Sequence, residues 1–151
     1  RSTPKPSSAA SDVYKRQLLA HIKIVEGHEE KFENISRELY EKTHSNEDSV
    51  IHYEYWRGRE KGSYYTLLAY PTYLDFLITH QISDHHEAAA GNYGDIIADI
   101  DLEWVDPVDG ASKLGHTEMQ EVPDDATDLA KEYGDTHAAI IQDWWLALRK
   151  A

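Results

Sequence analysis

From Leu18, the residues Leu18, Ala20, Ile22 and Ile24 alternate with Leu19, His21, Lys23 and Val25, the period-two pattern of a strand with one apolar and one mixed face. Glu26-Gly27 ends it. Phe32, Ile35, Ser36, Leu39 and Thr43 then recur at helical spacing, with charged residues between them, and predict an amphipathic helix of about four turns. The polar stretch His44 to Ser49 leads into Val50 to Arg57 and, after a Gly-bearing loop, Ser63 to Tyr70, which read as a β-hairpin. Pro71-Thr72 starts a second helix with Thr72 as N-cap and Asp75 in its first turn. Leu74, Leu77, Ile78, Gln81 and His85 share a face of that helix, which is expected to run unbroken to Ala90. Ile97 to Val105 alternates Ile100, Leu102 and Trp104 against Asp99, Asp101 and Glu103, a last strand with an acidic face that is solvated or forms a rim.

The element order over 18–106 is therefore βαββαβ, the split βαβ arrangement of an α+β, ferredoxin-like domain. Two helices cover one face of its sheet. The other face needs a cover, and a second copy of the sheet supplies it, so a homodimer is expected. Residues 107–151 form an appendage of loop and helix whose last helix carries Ala138, Ile141, Trp144, Trp145 and Leu148, and the paired tryptophans predict docking onto the body. Residues 1–17 carry no periodic pattern and are expected to be a disordered leader; Ser8 to Gln17 resembles adapter-derived sequence, so the native amino terminus is left open.

Composition narrows the chemistry. The 151 residues include no cysteine, which removes thiolate nucleophiles and cysteine-ligated metals and leaves histidines and carboxylates to do any chemical work. A net charge of −13 argues against nucleic acid and anionic membranes as partners, and no apolar run reaches the length of a membrane span. A cytoplasmic location is the expectation. Ten tyrosines and four tryptophans can line an aromatic pocket.

On a continuous α-helix, His80 lies about 40° from Asp84 and about 60° from Ser83, so Asp84 could orient His80 through its imidazole; a solvated i, i+4 pair is the competing reading. His85 falls about 140° and His86 about 240° from His80 on such a helix, which separates the three histidines. His85 is then a core or pocket residue and His86 a surface one. A metal site built from His21, His52 and a helix histidine would require strand and helix to converge, and none is expected. On the strands His21, His52, Trp56, Tyr64 and Tyr70 are candidate pocket residues, with packing or interface roles as the alternative.

The element order, the glycine in Val25-Glu26-Gly27-His28-Glu29-Glu30-Lys31-Phe32 and the segment His80-Gln81-Ile82-Ser83-Asp84-His85 together resemble the antibiotic biosynthesis monooxygenase domain family, over roughly 18–105. That resemblance implies a dimeric α+β barrel. It also implies a monooxygenase that oxidises a small quinol or phenolic metabolite with molecular oxygen and needs no metal or organic cofactor. His80 would be the base, Asp84 and His85 its catalytic companions, and Ser83, His21, His52, Trp56, Tyr64 and Tyr70 substrate-binding residues. The chain departs from the family where the third strand closes on Tyr70-Pro71 in place of a frequent tryptophan, and the spacing on to His80 is one residue longer. Heme-binding relatives and non-catalytic barrels that hold a small hydrophobic metabolite share the fold, so they stand as alternatives.

Overall fold

The computed structural model describes residues 16–150. Its core is β1 (Arg16–Ile24), α1 (Glu29–Asn46), β2 (His52–Arg57), β3 (Ser63–Tyr70), a π-helical segment (Asp75–Gln81), α2 (Asp84–Tyr93) and β4 (Ile97–Val105). The four strands form one antiparallel sheet in the order β2-β3-β1-β4. This is the α+β, ferredoxin-like fold that the hydrophobic pattern predicts. β1 starts at Arg16, two residues before the expected start, and the rest of the expected leader lies outside the described residues.

Register explains which side chains meet under the helices. Leu18 pairs with Leu68 and Trp104, and Ala20 with Thr66 and Leu102, while Tyr53 and Tyr55 on β2 face Leu68 and Thr66. Successive strand residues point to opposite faces, so these side chains share one side of the sheet. Phe32, Ser36, Leu39 and Thr43 of α1 are buried, and Phe32 packs against Tyr55, Tyr64 and Tyr93. The opposite face carries Leu19, His21, Tyr65, Leu67 and the acidic Asp99, Asp101 and Glu103. Trp56 is 60% exposed there.

The second helix is not continuous. Asp75–Gln81 is π-helical, and the Ile82 amide donates to the Leu77 carbonyl at 3.1 Å, an i→i+5 bond. The wider turn buries Phe76, Leu77, His80 and Gln81 and leaves Ile78 42% exposed, so the α-helical face drawn from sequence holds only in part. Ser83 then caps a new helix: its hydroxyl accepts from the His86 amide at 3.1 Å and donates to the His80 carbonyl at 2.6 Å. The chain thus turns between His80 and Asp84, and α-helical angles across that break no longer apply.

The appendage adds α3 (Asp128–Thr136) and α4 (Asp143–Leu148). α3 packs on the π-helical segment, where Tyr73 donates to the His137 carbonyl at 3.1 Å. Arg149 grips Asp106 through two hydrogen bonds, of 2.8 and 3.1 Å, and Glu118 through one of 2.9 Å, tying the tail to the end of β4. The expected docking of the last helix is made by this arginine rather than by tryptophan. No residue of α4 is buried, and Trp144 is 65% exposed.

Candidate active site

The break in the second helix brings together a buried cluster of histidines and a carboxylate. Glu47, the residue that ends α1, is buried, and its carboxylate is a meeting point. The Tyr70 hydroxyl donates to Oε1 at 2.6 Å, His80 Nδ1 donates to Oε2 at 2.9 Å, and His85 Nε2 reaches the same Oε2. Burial works against the charge of Glu47, but the hydrogen bond and attraction of His80, with the hydrogen bonds of Tyr70 and His85, outweigh it and hold the carboxyl below its ordinary range. Burial also pushes His80 below the ordinary imidazole range, against the pull of Glu47. The geometry suits a Glu47 carboxylate that accepts the Nδ1–H of His80.

That leaves the other nitrogen. His80 Nε2 is buried and has no hydrogen-bond partner among the described residues. His80 also lines a cavity of about 290 Å³ between sheet and helices, walled by Leu18, Leu39, Tyr53, Tyr55, Thr66 and Tyr93, among others. Thr66 Oγ1 and His86 Nδ1 are further buried atoms without a partner, and both residues line the same space. Buried polar groups are almost always paired, so three orphans around one cavity point to a polar ligand. The tyrosines form a relay from Tyr53 to Tyr55, on to Tyr93 at 3.1 Å and to Ser36 at 2.9 Å, and burial raises the hydroxyls of Tyr53 and Tyr55 well above their ordinary value.

The structure rearranges the residues singled out by sequence. His80 sits at the cavity, and the carboxylate on its ring is Glu47 and not Asp84, which is exposed at the start of α2. His85 joins His80 on Glu47, with ring centroids 6.1 Å apart, and His86 lies 4.9 Å from His80 instead of on the surface. Burial, and then the neighbouring His80, take His86 down to about 3. Ser83 caps a helix and is not a cavity wall. Tyr70 acts on the site through Glu47.

His21, His52 and Trp56 lie on the far face of the sheet: His21 bonds Ser63 at 2.9 Å and stacks on Tyr65, and His52 sits 3.9 Å from Glu54. Tyr64 and Trp56 border a larger open groove of about 630 Å³ between α1 and β2. There Glu33 accepts from Arg57 at 2.7 and 2.9 Å and from Tyr64 at 2.7 Å, so the polar groups satisfy one another. Sequence reasoning missed Glu47, Tyr53, Tyr55 and His86.

No family model and no curated protein matches the sequence. Solved structures do. A Caulobacter crescentus protein described as a "putative antibiotic biosynthesis monooxygenase" superposes with a TM-score of 0.59 at 25% identity, over 68% of this chain and 98% of that one. Proteins of the same description from Bacteroides thetaiotaomicron and Nitrosomonas europaea match with TM-scores of 0.60 and 0.59, at 17% and 13% identity. They cover 63% and 66% of this chain and 90% and 95% of theirs. In fold, then, the chain is similar to structures described as "putative antibiotic biosynthesis monooxygenase".

Proposed function

We propose that this chain is a monooxygenase that oxidises a small phenolic or quinol-like molecule with molecular oxygen, without a cofactor, and that His80 Nε2 is its base. One observation supports the reading: Nε2 of His80 is buried at the cavity wall without a hydrogen-bond partner among the described residues, while Nδ1 is held by Glu47. A phenol is a poor electron donor and its phenolate a good one, so the reaction begins when Nε2 takes the phenolic proton. Glu47 stabilises the imidazolium that forms, through the Nδ1–H bond, and Tyr70 keeps that carboxylate oriented. The ring then yields electrons to oxygen and a ring carbon becomes bonded to it. Return of a proton and loss of water leave a quinone: one oxygen atom stays as a carbonyl, the other departs as water, and the substrate supplies all four electrons.

The walls suit that chemistry. Leu18, Leu39, Tyr53 and Tyr55 give the cavity largely apolar walls for a flat ring, and Thr66 offers a second polar contact to a ring oxygen. At about 290 Å³ the cavity lies at the lower end of the range for ligand pockets, which favours a substrate of one or two rings over a larger polycycle. The homodimer implied by the family resemblance would cover the far face of the sheet.

Oxygen consumption by metal-stripped protein over a panel of hydroquinones and naphthols tests the reading. Wild type should exceed autoxidation and His80→Ala should not. Silence of the wild type across the panel would favour a barrel that only binds its ligand.

A further inference from the structure

The same cluster has the makings of a metal site on its other side. His80 Nδ1, His85 Nε2 and a carboxylate oxygen of Glu47 all lie within 4.8 Å of one another. The side chains of Glu47 and His80 are 1% exposed and that of His85 is 11% exposed. Ligand atoms bound at about 2.0–2.1 Å to one transition ion stand roughly 3.0–3.4 Å apart. The 2.9 Å between His80 Nδ1 and Glu47 Oε2 is already close to that spacing. Two imidazole nitrogens with one carboxylate oxygen suit zinc, cobalt, nickel or iron(II) better than calcium or magnesium. The outer contacts are those of a ligand set: the Tyr70 hydroxyl holds Oε1, which aims Oε2 alone at the histidines. Of the three, His85 borders a small recess between α1 and α2, together with Leu39, Lys42 and Asn92.

We infer that Glu47, His80 and His85 bind one divalent transition-metal ion, and that the ion switches off the base. This rests on the reading of His80 Nε2 as base. A bound ion takes the Nδ1 lone pair, so the one proton of the neutral ring must move to Nε2. Nε2–H then points into the cavity as a hydrogen-bond donor and accepts no proton from substrate. The metal-free chain oxidises its substrate; the loaded chain binds it and does not turn it over.

The test uses untagged full-length chain, stripped by chelator and titrated with cobalt(II), then with zinc. The visible bands of cobalt should saturate at one ion per chain and disappear as zinc displaces it. His85→Gln should weaken cobalt binding by roughly tenfold or more. His116→Gln, at the separate contact of His116 with Asp109, should not change it. Zinc should also raise the melting temperature of the wild type, a readout that needs no variant to fold. Nitrogen-15 shifts of His80 should change from an unprotonated Nε2 to Nε2–H on addition of zinc, and oxygen uptake should fall in step with occupancy. Absence of stoichiometric binding, or equal affinity in His85→Gln, overturns the site whether or not any phenol is oxidised. Full occupancy with an unprotonated Nε2, or with undiminished oxygen uptake, overturns the switch.

Discussion

Two glutamates in this molecule each accept a tyrosine hydroxyl and a basic side chain, yet only one makes a site. Glu33, on the outer side of α1, is paired with Arg57 and Tyr64 in an open groove. Glu47, at the inner end of the same helix, is paired with His80, His85 and Tyr70 out of reach of water. The first cluster closes on itself: every partner spends its hydrogen bonds on Glu33, whose carboxyl is held at about 2 by Arg57 and then Tyr64. The second passes its effect on. Because imidazole has two nitrogens, the one bound by Glu47 leaves the other aimed at a cavity with nothing to pair it. Burial and a second unused nitrogen, not the mere meeting of charges, separate chemistry from architecture.

Substitutions can break that comparison from either side. The largest effect falls on His80: His80→Ala should lower the rate of substrate oxidation by about 10²–10⁴-fold, the usual range for loss of a general base, whereas Glu33→Gln should leave it unchanged. Next is Glu47→Leu, which leaves the donors of Tyr70, His80 and His85 facing an apolar group and should cost about 3–5 kcal/mol in denaturant unfolding. Tyr70→Phe removes one donor from Glu47 and should cost about 1–2 kcal/mol while lowering kcat less than His80→Ala does. The smallest effect belongs to Glu33→Gln and appears as a pH dependence. The folded carboxyl is depressed to about 2 from 4.5, so its contribution is present above the higher value and is lost as pH falls through the lower one. The melting temperatures of wild type and Glu33→Gln should therefore converge between those two values.

Most of the fold was legible because it follows period. The stripe of Phe32, Ser36, Leu39 and Thr43 and the alternation of β1 and β3 are imposed by burial on one face, and such patterns survive without knowledge of tertiary contacts. The site was half legible. His80 stands out by residue type and by its place in the family-like segment, but its partner is 33 residues earlier, in a polar stretch that reads as a linker. Asp84 was the natural choice only on an unbroken α-helix. One signal in the sequence argued against that helix: Ser83-Asp84 ahead of Glu87 is the start signature of a new helix. Tyr53 and Tyr55 were missed for a different reason: a strand pattern shows which residues share a face but not where that face is left unfilled.

The proposed role of His80 requires that Glu47 fix the proton on Nδ1 and leave Nε2 as a free lone pair. Nitrogen-15 NMR of the metal-stripped chain at neutral pH reads this directly, with the His80 signals identified by their loss in His80→Gln. The expected result is one protonated nitrogen, Nδ1, and one unprotonated nitrogen, Nε2, whose shift moves when a hydroquinone is added. A proton on Nε2 of the free, metal-stripped protein, or an imidazolium carrying both, would contradict it.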